Sequence, residues 1–257
     1  MPLSGKWRKS TVLPRLEGMA IHLWRLDLGD KGILEKVRAC LTLEELERAG
    51  RFYQREHREK YELARGTLRL LLGHYTGLNP LDLILEEGPY GKPFLSGSRQ
   101  ESRIFFNISH SGQRALYGFT RAGEIGVDVE QHRPDIPFRQ LATRFFAPGE
   151  QAELNTLPDR DLEEAFFRCW SSKEAFIKAR GEGLSCPLDQ FEVSLLPAEP
   201  WQLKKIQWDP QEIGRWKLQG LAMGPGYSAA LVGPAWGPQP QCFDVTHRIL
   251  GNQIGKI

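Results

Sequence analysis

The sequence predicts an α+β protein made of two similar lobes, and three observations carry the prediction. Residues 19–28 and several later stretches alternate apolar and polar side chains with the period of a strand. Residues 52–75 and 162–179 instead repeat with the period of a helix. The order strand, long helix, run of strands then occurs twice in comparable lengths.

In the first half, M-A-I-H-L-W-R-L-D-L at 19–28 reads as a strand. Thr42-Leu43-Glu44-Glu45 has the capping-box pattern that opens a short helix. Tyr53, Tyr61, Ala64, Leu68 and Leu71/Leu72 form the apolar stripe of a long helix over 52–75, and Asn79-Pro80 ends that unit. Residues 81–85 read as a short strand and 88–91 as a turn. Strands are expected over 103–108, 115–120 and 125–130, with Arg121-Ala122-Gly123 turning between the last two. In the second half, helices are expected over 138–146, 148–154 and 162–179, before Gly181-Glu182-Gly183. Strands follow at 191–195, 201–208, 215–221 and 227–232. The boundary falls near 120–124, giving an N-terminal lobe over 1–122 and a C-terminal lobe over 123–233. Residues 234–257 are rich in Pro and Gly, then polar without periodicity, and are expected as a loosely attached tail.

Composition narrows the function classes. With 40% hydrophobic and 26% charged residues, the chain has the balance of a soluble globular protein. A net charge of +2 is too small to argue for nucleic acid. The basic residues between Arg48 and Arg69 are diluted by Glu56, Glu59 and Glu62, so no basic stripe emerges. No apolar run approaches the roughly 20 residues of a membrane span, and residues 1–15 lack the apolar centre of a secretory signal. Cys40, Cys169, Cys186 and Cys242 form no C-x-x-C pair. Reduced thiols in a cytoplasm are therefore expected, not a zinc site or a disulfide framework. Cys169 reads as a core filler.

Two short segments carry the chemistry. In Gly126-Val127-Asp128-Val129-Glu130, strand alternation puts Asp128 and Glu130 on one face and Val127 and Val129 on the other. In Trp170-Ser171-Ser172-Lys173-Glu174-Ala175-Phe176-Ile177-Lys178, helical spacing aligns Trp170, Glu174 and Lys178. Taken singly, the first is an ordinary solvated strand end and the second an ordinary helix with i,i+4 pairing. The neighbours Phe166, Phe167, Phe176 and Ile177 leave that helix little polar face, so its charges need partners. If the helix crosses the strand, three carboxylates and a lysine converge, as a site for Mg²⁺ and substrate phosphates requires.

This pair of segments resembles the two signature motifs of the Sfp-type 4′-phosphopantetheinyl transferases. The spacing between them, with F-F-A-P-G-E at 145–150 midway, is similar too. So are Gly91-Lys92-Pro93, Phe106-Asn107-Ile108-Ser109-His110-Ser111, and the stretch from Arg51-Phe52-Tyr53 to Arg65-Gly66. The likeness runs from roughly residue 20 to 233 with its motifs in order. It implies a pseudo-dimer of two α+β lobes with the active site between them. It also implies transfer of 4′-phosphopantetheine from coenzyme A to a serine of an apo acyl or peptidyl carrier protein, dependent on Mg²⁺, with release of 3′,5′-adenosine bisphosphate.

The same resemblance assigns residues. Asp128, Glu130 and Glu174 match the family's metal carboxylates, and Glu174 its general base, directly or through water. Lys178, one turn beyond, is placed to stabilise charge on the phosphates. Lys92, Ser109 and His110 match contacts to the coenzyme A phosphates and nucleotide, and Asp128 faces the same ligand. Lys60 is the choice for the 3′-phosphate, with Arg51 second and Arg55, Arg58 and Arg65 competing. Trp170 is expected to pack between the lobes. Lys173 stays open between a surface residue and an anion contact. Arg139, Arg144, Phe145 and Phe146 could meet the carrier, or the two phenylalanines could simply be core. The two-lobed length implies a monomer. Two other readings of these residues are a Mg²⁺-dependent phosphohydrolase and a non-catalytic coenzyme A-binding protein.

Overall fold

Alternating side chains build the first sheet. In β1 (Ile21–Asp27), Trp24 and Leu26 point to one apolar cluster while Ile21 and Leu23 point to another. Two short helices follow, α1 (Leu34–Arg38) and α2 (Leu43–Gly50), the second opened by the expected capping box of Thr42 and Glu45. Then comes the long helix α3 (Arg55–Thr76), which ends at Gly77 in the left-handed conformation, φ 74°. It begins later than its sequence pattern indicates, and Tyr53 therefore lies outside the apolar stripe and is fully exposed. Gly66 lets α1 cross α3: a Cβ there would lie 2.2 Å from the Val37 carbonyl oxygen. A hairpin of β2 (Leu85–Glu87) and β3 (Pro93–Leu95) precedes β4 (Phe105–Ser111) and β5 (Arg114–Thr120). Residues 81–85 are not a strand as a whole, because Pro80 directs a 3-10 turn over Pro80–Asp82.

The second half repeats the scheme with β6 (Gly126–Gln131), α4 (Phe138–Phe145), α5 (Pro148–Asn155) and the long helix α6 (Asp159–Arg180). A hairpin of β7 (Phe191–Val193) and β8 (Leu203–Ile206) follows, then β9 (Trp216–Gly220), β10 (Tyr227–Pro234) and β11 (Gln241–Asp244). The structure is a computed structural model and describes residues 7–10, 12–97 and 104–246. The first residue of the strand expected from 103, and the tail beyond 246, lie outside the described residues.

One sheet has the order β11-β1-β5-β4 and another β6-β10-β9. Helix α3 covers the first through Leu63, Leu68 and Leu71 against Trp24, Phe106 and Phe119. Helix α6 covers the second through Phe166, Phe176 and Ile177 against Ala230 and Val232. A third apolar layer joins the two sheets: Leu23 and Leu116 from the first, Val127, Val129 and Leu231 from the second. Asp128 and Glu130 consequently face away from that layer, as the alternation requires.

The tail departs from expectation. Gln241–Asp244 pairs in parallel with β1, and Phe243 stacks on Trp24 at 4.8 Å between ring centroids. Arg8 hydrogen-bonds across Phe243, through Arg8 N–H to the Cys242 carbonyl and Asp244 N–H to the Arg8 carbonyl. Two apolar residues, Cys242 and Phe243, suffice to anchor it, too few for a periodicity in the sequence. Among the described residues no helix is long and apolar enough to cross a membrane.

Candidate active site

Helix α6 lies directly on β6. A Cβ at Gly126 would stand 2.0 Å from the Ala175 carbonyl oxygen, so the leading glycine of G-V-D-V-E is what allows the approach. The contact sets Lys178 beside Asp128: its Nζ is 2.6 Å from Asp128 Oδ1 and 3.1 Å from Ser109 Oγ. Ser109, from β4, donates to the same Oδ1 at 2.8 Å. Two residues on, Ser111 donates to Glu130 Oε2 at 3.0 Å. Glu174 stands one turn before Lys178 on the same helix.

Burial and like charge set the protonation here. Burial pushes Glu174 up, Lys178 pulls it back, and Asp128 and Glu130 push it further, leaving its carboxyl at about 7. Glu130 is likewise raised, by burial and then by Asp128, against the opposing hydrogen bond from Ser111. Burial would lower Lys178, but Asp128 outweighs it and the ammonium is held above its ordinary range. The cluster thus pairs a firmly charged lysine with a carboxyl poised near neutrality, as a general base requires.

From this cluster a cavity of about 810 Å³ opens along α3. Lys178, Ser109 and His110 line it together with Lys60, Arg65 and Arg48. His110 opens to solvent there, yet the surrounding walls, then Lys178 and Lys60, hold its imidazole below the usual range. Lys60 pairs with Glu56 at 2.9 Å, whose carboxylate is itself largely solvated. Phe52 and Tyr61 meet in a tilted pair, 5.5 Å between ring centroids, and the Arg48 guanidinium lies 5.7 Å over the Tyr61 ring. The cavity therefore offers cations to an anion and aromatic faces to a planar group. Arg48 is not among the residues the sequence singles out; it lies in the last turn of the short helix α2 and nothing local marks it.

Several expected residues lie elsewhere. Lys92 turns away from this cavity to Glu124 at 2.7 Å and the carbonyls of Ile125 and Ala179 at 3.1 and 3.3 Å, tying the β2–β3 turn to the end of α6. Ser109 has its hydroxyl taken by Asp128 and Lys178 and so serves the carboxylate cluster first. Arg55 and Arg58 pair with Glu59 and Glu62, and Arg51 is exposed beyond α2. Trp170 packs on Phe145 and Phe166 within the α4–α6 core, not between the sheets. Phe146 is fully buried core.

Lys173 is neither surface nor anion contact. It is 0% exposed and reaches Glu150 Oε2 at 2.7 Å and the carbonyls of Leu188 and Phe191 at 2.7 and 2.6 Å. Glu150, the last residue of F-F-A-P-G-E, also accepts from the N–H groups of Ala147 and Val193. A dry charge with this many partners is a strut, and it fixes α6 immediately beside Glu174.

Among the described residues no three His, Cys, Asp or Glu side chains stand as a ready-made metal cluster. The expected trio is a neighbourhood, because Lys178 and Ser109 take Asp128 Oδ1. Its other oxygen, Oδ2, is buried without a hydrogen-bond partner, and the charges of Asp128 and Glu130 both raise Glu174. An orphaned buried oxygen among mutually repelling carboxylates fits a hard cation that takes few protein ligands and fills its shell from phosphates and water.

Fold and site together define an α+β protein with a cation-lined cavity beside a lysine–carboxylate cluster. The profile of the 4′-phosphopantetheinyl transferase superfamily matches residues 124–232, and that of the 4′-phosphopantetheinyl transferase N-terminal region matches residues 31–118. The chain is 38% identical over 222 residues to the 4′-phosphopantetheinyl transferase HetI of Nostoc sp., covering 86% of this chain and 90% of HetI. It is 32% identical over 161 residues to the 4′-phosphopantetheinyl transferase Sfp of Bacillus subtilis (63% and 69% of the two chains). With the 4′-phosphopantetheinyl transferase AcpT of Escherichia coli it shares 41% over 160 residues (54% and 78%). The chain belongs to the 4′-phosphopantetheinyl transferase superfamily.

Proposed function

We propose that this chain transfers the 4′-phosphopantetheine group of coenzyme A to a serine hydroxyl of an apo acyl or peptidyl carrier protein, releasing 3′,5′-adenosine bisphosphate. The observation that carries the reading is that Ser109 and Lys178, which line the cation-rich cavity, are the residues that bond Asp128, with Glu174 one turn before Lys178 on α6. The adenosine bisphosphate end lies along α3, where Lys60, Arg65 and His110 meet phosphate and the Phe52–Tyr61 pair meets the base. At the other end the carrier serine Oγ bonds to the β-phosphorus and the bond from that phosphorus to the bridging oxygen breaks. The serine proton passes to Glu174, directly or through water. Lys178 stabilises charge that develops on the phosphate oxygens. Asp128, Glu130 and Glu174 would hold a Mg²⁺ ion, which when bound neutralises pyrophosphate charge.

Every group in this scheme comes from one chain, which supports a monomer. Two lobes meeting near 120–124, an acidic carrier as the macromolecular partner, and a cytoplasmic setting for the four free cysteines complete the reading. The test is to incubate the protein with coenzyme A, Mg²⁺ and a panel of apo-carrier proteins and to weigh the intact carriers. A phosphopantetheine-sized gain, absent with chelator and with Glu174→Gln, is expected. Coenzyme A binding with no carrier labelled would overturn the proposal in favour of a binding protein, and coenzyme A turnover without labelling in favour of a hydrolase.

A further inference from the structure

Strands β4 and β6 run side by side yet belong to different sheets, and side chains connect them. Asn107 Oδ1 accepts from Val127 N–H at 2.9 Å, Ser109 Oγ from Val129 N–H at 3.4 Å, and Ser111 Oγ from Gln131 N–H at 3.1 Å. The offset is 20 residues at each rung. Among the described residues β6 is the edge of its sheet, so alternate N–H groups along it lack a strand partner. The polar face of β4 satisfies them rung by rung. Where β5 gives Leu116 to the apolar layer, β4 gives Asn107, Ser109 and Ser111.

Each serine also does a second thing. While its oxygen accepts from the backbone of β6, its hydrogen goes to the carboxylate one residue earlier: Ser109 to Asp128 Oδ1 and Ser111 to Glu130 Oε2. One oxygen of each carboxylate is therefore occupied. Asp128 Oδ2 is left buried and unpartnered, and Glu130 keeps Oε1.

We infer that Ser109 and Ser111 are positioning residues that make Asp128 and Glu130 one-oxygen ligands, and so select a magnesium-sized ion over calcium at this site. The inference rests on the metal-dependent reading above. Calcium accepts six to eight oxygens and fills that larger shell with carboxylates bound through one oxygen or both, whereas magnesium demands a tight octahedron. Ser109 and Lys178 together occupy Asp128 Oδ1, and the Ser111 bond takes one lone pair of Glu130 Oε2 and fixes its direction, which disfavours chelation through both oxygens. Ser111 is the better probe, because Ser109 also touches Lys178.

The experiment titrates Mg²⁺ and, separately, Ca²⁺ into the full chain saturated with coenzyme A, by calorimetry. It compares wild type with Ser111→Thr and Ser111→Val, which share a shape and differ in the hydroxyl. Ser111→Thr should bind both ions as wild type does. Ser111→Val should lose roughly 10-fold or more in Mg²⁺ affinity, as outer-shell partners typically cost, with a smaller loss for Ca²⁺, and with coenzyme A affinity in chelator unchanged. Equal behaviour of the two variants would overturn the inference, as would a Val variant losing both ions to the same extent. A wild-type chain that labels carriers but shows no preference for Mg²⁺ would sink this inference and leave the transferase standing.

Discussion

The helices α2 and α3 and the helices α5 and α6 solve one problem twice, with different results. In each pair a glutamate in the first turn of the short helix accepts from its own cap: Glu45 from Thr42 N–H at 3.0 Å, Glu150 from Ala147 N–H at 2.8 Å. In each pair the same glutamate takes cations from the following long helix. Glu45 receives Arg65 and Arg69, both at 2.5 Å, and Glu150 receives Lys173 at 2.7 Å. Burial pushes both carboxyls up. Around Glu45 the hydrogen bonds of Arg69 and Arg65 outweigh it and the carboxyl ends below its usual range. Around Glu150 burial wins over Lys173 and the carboxyl ends above it. The difference lies in water: the Arg65 side chain is 24% exposed, Lys173 not at all. The first pair borders an open cavity, and the second holds α6 from inside the core.

That contrast can be broken by removing one partner at a time. Glu150→Ala or Lys173→Met alone should cost about 3–5 kcal/mol in denaturant unfolding, since each strands a dry charge. Replacing both by apolar residues should recover most of the loss, and additive single effects would contradict the strut. A second asymmetry is that, among the described residues, the tail adds a strand to the first sheet and none to the second. Phe243→Ala should cost about 3 kcal/mol, read by thermal unfolding, although Phe243 is remote from either glutamate. Glu45→Ala should cost less, about 2 kcal/mol. Arg65 can turn to solvent, and Arg69 keeps the carbonyls of Pro80 and Leu83 at 2.7 and 3.1 Å.

The smallest effects are in pH, where the two regions oppose each other. His22, beside Tyr75 under α3, is held at about 4 by burial and then by His74. Between about pH 4 and 6.5 the unfolded chain binds this proton and the folded one does not, so His22 makes stability rise with pH. Glu174 at about 7 does the reverse: the folded chain holds the proton between about pH 4.5 and 7, and stability falls as pH rises through that window. Each slope is at most about 1.4 kcal/mol per pH unit. In metal-free buffer, Glu174→Gln should steepen the rise in melting temperature between pH 5 and 6.5, and His22→Leu should tip it downward. Parallel curves for the two variants would show that neither group titrates as its surroundings require.

Much of the fold is legible in the chain because local rules dictate it. Helix α3 over Arg55–Thr76 and helix α6 over Asp159–Arg180 follow from periodicity and from the glycines that end them. The faces of Val127/Asp128 follow from the pleat of a strand. Failures came where one or two contacts decide. Two buried residues dock the tail strand, one proline starts a 3-10 turn that delays the strand to Leu85, and the start of α3 leaves Tyr53 in solvent.

The sequence by itself determined the α+β class, through repeats of two and of three to four residues, and the family, through motifs in order; it also put Asp128 and Glu130 on one strand face and Glu174 and Lys178 on one helix face. Only the tertiary structure decided what the intervening polar residues do. Lys173 next to Glu174 became a dry strut, Lys92 a brace on the end of α6, and Asn107, Ser109 and Ser111 the rungs between two sheets. The reason is physical: a polar side chain is defined by the partner that replaces its water, and these partners lie 15 to 87 residues away in the chain.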